Sequence, residues 1–334
     1  MMAAHEIASV TVDCPAKTNL VLRVGETHAE WGGRHALDTI YCGVGVTDSV
    51  TVTRKLPGTG FSLDLAGEHL GDLALSESDM RRNHAVLALY ALAEASGMNP
   101  DVAITLDKRI PVGAGLGGGS SDAAGTLLAL NVLWGLNWPV ERLEPIAASL
   151  GADMPFCLHG GYAHGGGFGQ TITPLADDDP DIVRLREAGF AGRLLIGAYD
   201  DELSTPDVYR RFDEIGANPD HFNDLQHAAE DLHPRSRLAI DVALAAGASM
   251  AFVSGSGPSV VACAPNDEVR GLIVADWQSA RAVDRIIAAD APAAPRISAT
   301  VTVGAGMDAN AGVRKAASAA GSAVPATDPV TVRR

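Results

Sequence analysis

Residues 111–124, Pro111-Val-Gly-Ala-Gly-Leu-Gly-Gly-Gly-Ser-Ser-Asp-Ala-Ala124, decide how the rest of the chain is read. Gly113, Gly115, Gly117, Gly118 and Gly119 permit positive φ and leave their backbone N–H groups unobstructed. The Ser120-Ser121-Asp122 step that follows has the composition of a helix start, and AAGTLLALNVLW continues it with apolar residues at helical spacing. Amides at a helix N-terminus attract negative charge, so the stretch has the outline of a phosphate cradle. A flexible glycine linker would need neither the polar helix start nor the amphipathic helix behind it.

Several phosphate loops are built on glycine. Gly113-x-Gly115-x-x-Gly118 satisfies the dinucleotide pattern G-x-G-x-x-G, but it stands well inside the chain, and the neighbourhood about 20 residues further on, LWGLNWP, holds no acidic residue to meet a ribose. A Walker A loop is excluded because no lysine follows the final glycines, where Ser120 and Ser121 stand instead.

Outward from the loop, β-branched runs at 7–14, 19–24, 48–54 and 101–106 predict strands. Apolar periodicity predicts a helix over 79–97, stopped by Gly97, and another following Pro139. The glycine-dense segment 159–170 marks a boundary between a first domain, 1–170, and a second, 171–304. In the second, strands are expected at 194–199, 249–254, 258–264 and 297–303, with helices at 206–215, 223–231, 235–246 and within 267–289. Strands and helices intermixed, some strands adjacent, give an α+β class. From 305 to 334 the chain is Ala, Gly, Ser, Thr and Pro without periodicity, the composition of a disordered tail.

The 334 residues suffice for about two cores at roughly 150 residues each. With 47% hydrophobic and 20% charged residues, the body of the chain should fold without a partner. A formal net charge of −16 argues against nucleic-acid or anionic membrane partners, although it leaves room for a small anionic substrate held by helix N-termini and a few local cations. Cys14, Cys42, Cys157 and Cys263 lie far apart with no C-x-x-C, so neither a zinc knuckle nor a disulfide framework is supported. The start, MMAAHEIASVTV, has no basic segment ahead of an apolar one, and no run of about 18 apolar residues occurs, which makes a soluble cytoplasmic protein the expectation.

The loop PVGAGLGGGSSDAA resembles the phosphate-binding motif of the GHMP kinase superfamily of small-molecule kinases. Three further blocks match in the same order: Pro15-Ala-Lys-Thr-Asn-Leu20, Leu150-Gly-Ala-Asp-Met-Pro-Phe156 and Ser254-Gly-Ser-Gly-Pro-Ser259. The resemblance spans about residues 8–304 and is far more specific than one glycine loop. It implies a two-domain fold, an N-terminal α/β ATP-binding domain followed by a ferredoxin-like α+β substrate-binding domain. It further implies that Pro111, Gly113, Gly115, Leu116, Gly117, Gly118 and Gly119 wrap the phosphates, with Ser120 or Ser121 offering a hydroxyl to the bound MgATP. Mg²⁺ is expected to arrive with ATP, since no cluster of His, Asp or Glu argues for a resident metal.

Phosphoryl transfer to an alcohol needs the phosphates held, the developing charge stabilised and the hydroxyl deprotonated. By the same resemblance Asp153 is the general base and Lys17 its electrostatic partner, the ammonium favouring an ionised carboxylate. Without the family match, an Asp before Met-Pro would read as a turn residue and a Lys at a strand end as solvated.

The GGGSS form of the loop is closest to the branch of the superfamily whose alcohol substrate carries a cytidyl group. In that branch an aromatic next to a histidine meets the cytosine. This chain keeps His35 and Leu37 but has Arg34 in the aromatic's place, and a guanidinium can also stack on a base. Tyr209, in Ser204-Thr-Pro-Asp-Val-Tyr209, is the candidate for the opposite stacking ring, and Asn19 and His35 for reading the cytosine edge. Gly255, Ser256 and Gly257 form a loop whose glycines let the backbone come close to the substrate. A second departure is Gly167-Phe-Gly-Gln170, where the family carries Glu at the position of Gln170. Another superfamily kinase, acting on a sugar, a mevalonate-like or a homoserine-like alcohol, is the alternative.

Overall fold

The computed structural model describes residues 6–67 and 80–303; residue 79, the expected start of the first helix, and the tail at 305–334 lie outside them. Strand β1 (Glu6–His28) fuses the two runs expected at 7–14 and 19–24. Proline cannot donate to a ladder, so a strand running through Pro15 needs an irregularity there. Its pairing with β2 (Arg34–Arg54) supplies one, because Pro15 opposes Thr47 while Ala16 opposes Val44.

After β2 come β3 (Ser62–Gly67), α1 (His84–Ser96), β4 (Val102–Lys108), α2 (Gly118–Leu133), α3 (Val140–Leu150), α4 (Met154–His159), β5 (Tyr162–Gly166) and β6 (Thr171–Leu175). Next are α5 (Pro180–Glu187), β7 (Arg193–Ala198), α6 (Thr205–Ile215), α7 (Gln226–Leu232), α8 (Pro234–Ala245) and β8 (Met250–Val253). The last are β9 (Val260–Cys263), α9 (Asp267–Ala280), β10 (Arg285–Asp290) and β11 (Arg296–Val303). Among the described residues one sheet runs β11-β1-β2-β4-β3, with the β5–β6 hairpin also joined to β2; β3 and β4 are parallel and the other pairs antiparallel. The second sheet is antiparallel in the order β10-β7-β9-β8, which is the ferredoxin-like arrangement.

The domain division at 170 needs correction. It would cut the β5–β6 hairpin, in which Tyr162 opposes Leu175 and Gly166 opposes Thr171. The last strand also returns to the first sheet, where β11 gives the outer edge of β1 a partner from Glu6 to Asp13. The glycine-dense segment is therefore a strand and its turn rather than a linker. Helix α2 opens at Gly118, two residues ahead of the expected serine step, because Gly117 at φ 70 already turns the chain into the helix.

Side chains alternate between two cores as the pleat requires. On β7, Leu194 and Ile196 face the core between the sheets, with Ala16, Leu20, Phe252 and Val261, whereas Leu195 faces α8 and α9 beside Trp277. On β1, Val10, Val12 and Cys14 pack under α1 and α2 against Leu89 and Leu127, and beyond the irregularity Ala16 and Leu20 turn to the core between the sheets. Helix α2 lies so close to β1 and β2 that a Cβ on Gly125 would stand 2.1 Å from Cys14 Sγ and 3.0 Å from Val50 Cγ2.

Gly125→Ala is therefore expected to cost about 2–3 kcal/mol in overpacking, the upper part of the usual range because the clash is severe, against roughly 1 kcal/mol gained in helix propensity, a net loss of about 1–2 kcal/mol. A lower urea midpoint would record this, with partial recovery in the Gly125→Ala, Cys14→Ala double variant; an unchanged midpoint would contradict the packing.

Candidate active site

A cleft of about 1110 Å³ opens where the glycine loop, the start of α4, the β5–β6 turn, α6 and the 254–257 loop converge. Pro111, Gly113, Gly115, Leu116, Gly117, Gly118, Gly119 and Ser120 all border it. Gly113, Gly115 and Gly117 have φ of 67, 75 and 70, the left-handed region that disfavours a side chain. Space is as restrictive as torsion. A Cβ on Gly115 would lie 2.4 Å from the Ser254 carbonyl oxygen and 2.8 Å from that of Gly257, and one on Gly117 would lie 2.7 Å from Lys17 Cγ. The loop is thus a backbone surface pressed between β1 and the 254–257 loop, and the first residues of α2 line the cleft, the kind of helix start that attracts negative charge.

Ser120 borders the cleft, but Ser121 does not. Ser121 is fully buried and its hydroxyl donates to the Pro15 carbonyl at 2.7 Å, which ties α2 to β1.

The Lys17 backbone N–H donates to the Leu116 carbonyl at 2.9 Å, so β1 and the glycine loop share a hydrogen bond at the residue that carries the ammonium. Lys17 Nζ lies 3.0 Å from Asp153 Oδ2 and donates to Asn19 Oδ1 at 3.0 Å. Asn19 Nδ2 in turn donates to Thr39 Oγ1 at 2.8 Å. Asn19 borders the cleft, and its amide links Lys17 on one side to Thr39 on the other. Asp153, immediately before α4, accepts a second hydrogen bond from the Tyr41 hydroxyl at 3.0 Å. Its side chain remains 31% exposed, open to the cleft, while Lys17 beside it is buried.

Sequence reasoning passed over Tyr41. Burial first, and then the Asp153 carboxylate, raise its pKa well above that of an ordinary phenol, so it stays a donor. The available signal was a tyrosine in a run of small and aliphatic strand residues, where a buried hydroxyl requires a partner.

On the far wall, His35 and Tyr209 stack with ring centres 5.3 Å apart at 22°. His35 Nδ1 lies 2.9 Å from the Gly25 carbonyl and Nε2 lies 3.3 Å from Asp213. The Arg34 guanidinium lies 4.7 Å above the ring of Phe168, whose edge meets Trp31 at 5.8 Å. Phe168, also missed in the sequence, sits on the turn between β5 and β6, and its N–H donates to Gln170 Oε1 at 2.7 Å. Gly255 and Gly257 take φ of 56 and 78, and the buried Asn223 holds this loop by donating to the Val253 and Gly255 carbonyls at 2.9 and 2.7 Å. Ser256 Oγ lies 2.9 Å from Thr205 Oγ1 at the start of α6. Among the described residues no group of three or more His, Cys, Asp or Glu is arranged to hold a metal ion, and no helix is long and apolar enough to cross a membrane.

The chain resembles known proteins over most of its length. Residues 83–161 match the family model of the GHMP kinases N terminal domain, and residues 209–282 that of the GHMP kinases C terminal. The chain is 65% identical over 295 residues to 4-diphosphocytidyl-2-C-methyl-D-erythritol kinase of Bifidobacterium adolescentis, covering 88% of this chain and 96% of that one. The enzyme of that name from Mycobacterium avium is 38% identical over 278 residues, 77% of this chain and 83% of the other. A crystal structure of 4-(cytidine 5'-diphospho)-2C-methyl-D-erythritol kinase superposes with a TM-score of 0.63 at 29% identity, covering 85% of this chain and 99% of that one. Homoserine kinase from Cytophaga hutchinsonii, with a TM-score of 0.64 over 88% of this chain and 97% of its own, shares the fold at 18% identity.

Gly115→Ala should drive the glycine loop away from Ser254 and Gly257. In thermal melts the variant is expected to lose most of the stabilisation that MgADP gives the parent protein; a full ligand-induced shift would show that close approach at Gly115 is not required.

Proposed function

The chain belongs to the GHMP kinases, and from that premise we propose that it transfers the γ-phosphoryl group of ATP to the 2-hydroxyl of 4-diphosphocytidyl-2-C-methyl-D-erythritol, the substrate for which its 62–65% identical relatives are named. The reading places it in the non-mevalonate route to isoprenoid precursors, acting in the cytoplasm on a small molecule, without nucleic-acid or membrane partners. The observation that carries the residue roles is the 3.0 Å contact of Lys17 with an Asp153 that remains open to the cleft beside the glycine loop.

Asp153 accepts the proton of the attacking hydroxyl, and the freed oxygen attacks the γ-phosphorus as the bond to ADP breaks. Lys17 and the Tyr41 hydroxyl hold the carboxylate in one orientation, each presenting a hydrogen to a different oxygen. Lys17 also borders the loop that receives the phosphates, where its charge opposes the negative charge gathering in the transition state. Pro111 and the backbone of 113–119, with Ser120, cradle those phosphates, and the missing Cβ atoms are what leave the amides accessible. Magnesium bound with ATP would neutralise part of the phosphate charge. On the substrate side, Arg34 and Tyr209 stack on the base, His35 meets its edge, and Gly255, Ser256 and Gly257 approach the substrate from the second sheet.

Asp153→Asn is isosteric and spares Lys17 a missing neighbour, and is expected to lower kcat by about 10²–10⁴-fold in a folded protein. Lys17→Ala should fall into the same range, whereas Tyr41→Phe should lose only several-fold. ADP release with MgATP and a panel of alcohols is the assay; turnover of a sugar, mevalonate or homoserine without turnover of the cytidyl substrate would replace the proposed substrate. A second outcome concerns the base wall. Removing Arg34 and Tyr209 together should raise KM for the cytidyl substrate at least tenfold, from about 1–3 kcal/mol per lost stack, while KM for ATP stays put. An unchanged KM would remove the stack from the binding mode.

A further inference from the structure

Beneath the phosphate loop lies a charged cluster that the transfer step does not use. Lys108 at the end of β4, Asp48 on β2 and Asp122 in α2 are all buried. Lys108 Nζ is paired with Asp48 and lies 2.5 Å from Asp122 Oδ2. A Cβ on Gly118, the first residue of α2, would stand 3.5 Å from that same nitrogen, and Lys108 and Asp122 border the same cleft as Gly117–Ser120.

The two carboxylates are unequally provided for. Asp48 Oδ1 accepts the backbone N–H groups of Arg109 and Ile110 at 2.6 and 2.8 Å. Asp122 Oδ1 is closed off from solvent and has no hydrogen-bond partner. One ammonium does not neutralise two buried carboxylates, and the less satisfied one takes up a proton more readily. Burial pushes the Asp122 carboxyl up to about 7, with Lys108 opposing the rise and Asp48 adding to it. The other titratable groups facing the cluster are Cys14 from β1, Cys157 from α4 and His84 from α1. Burial raises both thiols, which keeps them neutral, and burial followed by Lys108 lowers His84.

We propose that Asp122 is a positioning residue for the nucleotide, taking up a proton from solvent as the phosphates bind at the start of α2, so that nucleotide affinity depends on pH. The proposal rests on the reading of the loop as the ATP site. With Asp122 ionised the cluster carries a net charge of −1 under the incoming phosphates; with Asp122 protonated it carries none. Phosphate binding raises the proton affinity of Asp122 further, and by linkage the proton favours the nucleotide. Affinity is then constant while Asp122 is protonated in both states and falls as it ionises in the free protein, by at most about tenfold per pH unit. It levels off once Asp122 is ionised in both.

The test is calorimetric titration of the full chain with MgADP at about pH 7.5 in two buffers of different ionisation enthalpy, which reads proton uptake directly. The parent protein should take up a fraction of a proton per nucleotide, and Asp122→Asn little or none. Near pH 8.5 that variant should bind MgADP several-fold more tightly than the parent does, and near pH 6 about equally. His84→Gln should keep the parent's uptake. Uptake that persists in Asp122→Asn, or that vanishes in His84→Gln, overturns the proposal. So does a flat affinity profile of the parent between about pH 6 and 9, which needs no variant to fold. Failure of the parent to bind MgADP at all would overturn the ATP-site reading instead.

Discussion

The cleft depends on backbone approaching backbone more closely than a side chain permits. Gly115 lies against the Ser254 and Gly257 carbonyls, and Gly117 against the aliphatic stem of Lys17, at separations that a single methyl group would violate. The contact is bonded as well as close. Ser254 Oγ donates to the Gly115 carbonyl at 3.2 Å and lies 2.9 Å from Thr18 Oγ1, next to Lys17 on β1. Three segments far apart in the chain are locked within one turn of each other. Lys17 inherits its position from that lock, and Asp153 is held against Lys17 in turn.

This arrangement explains how a chain of net charge −16 can present an anion site. The two lysines bordering the cleft are both matched by carboxylates, Lys17 by Asp153 and Lys108 by Asp48 and Asp122. Neither is a free cation waiting for phosphate. Arg34, Arg82 and Arg210 also border the cleft, and the uncharged amides at the start of α2 add attraction for an anion without altering the net charge. The acidity elsewhere, such as the exposed Asp177 and Asp178, belongs to the solvated surface.

What was legible in the sequence follows from locality. The glycine loop could be read because its constraint is written in the residues themselves, and strand alternation located most of the second sheet. Lys17 and Asp153 could be named only through the family resemblance, since their meeting depends on a tertiary contact between β1 and the start of α4. Three features stayed hidden for the same reason. Tyr41 looks like any core aromatic until Asp153 arrives beside it, and Ser121 looks like a phosphate ligand until Pro15 takes its hydroxyl. The pairing of β11 with β1 joins residues nearly the whole chain apart, which no local pattern encodes.

The two departures from the family pattern, Arg34 and Gln170, turn out to be neighbours through one residue. Gln170 accepts the N–H of Phe168, closing the turn between β5 and β6, and the Phe168 ring lies beneath the Arg34 guanidinium. A carboxylate at position 170 could accept the same N–H, so the hydrogen bond alone does not account for glutamine. Charge offers a difference: an anion in that turn would attract the nearby guanidinium, whereas the amide does not compete with the Phe168 ring for it. A guanidinium is planar like an aromatic ring but rides on a longer, more flexible stem, so its orientation depends on a neighbour, and Phe168, 4.7 Å away and in edge contact with Trp31, is the ring placed to supply that support.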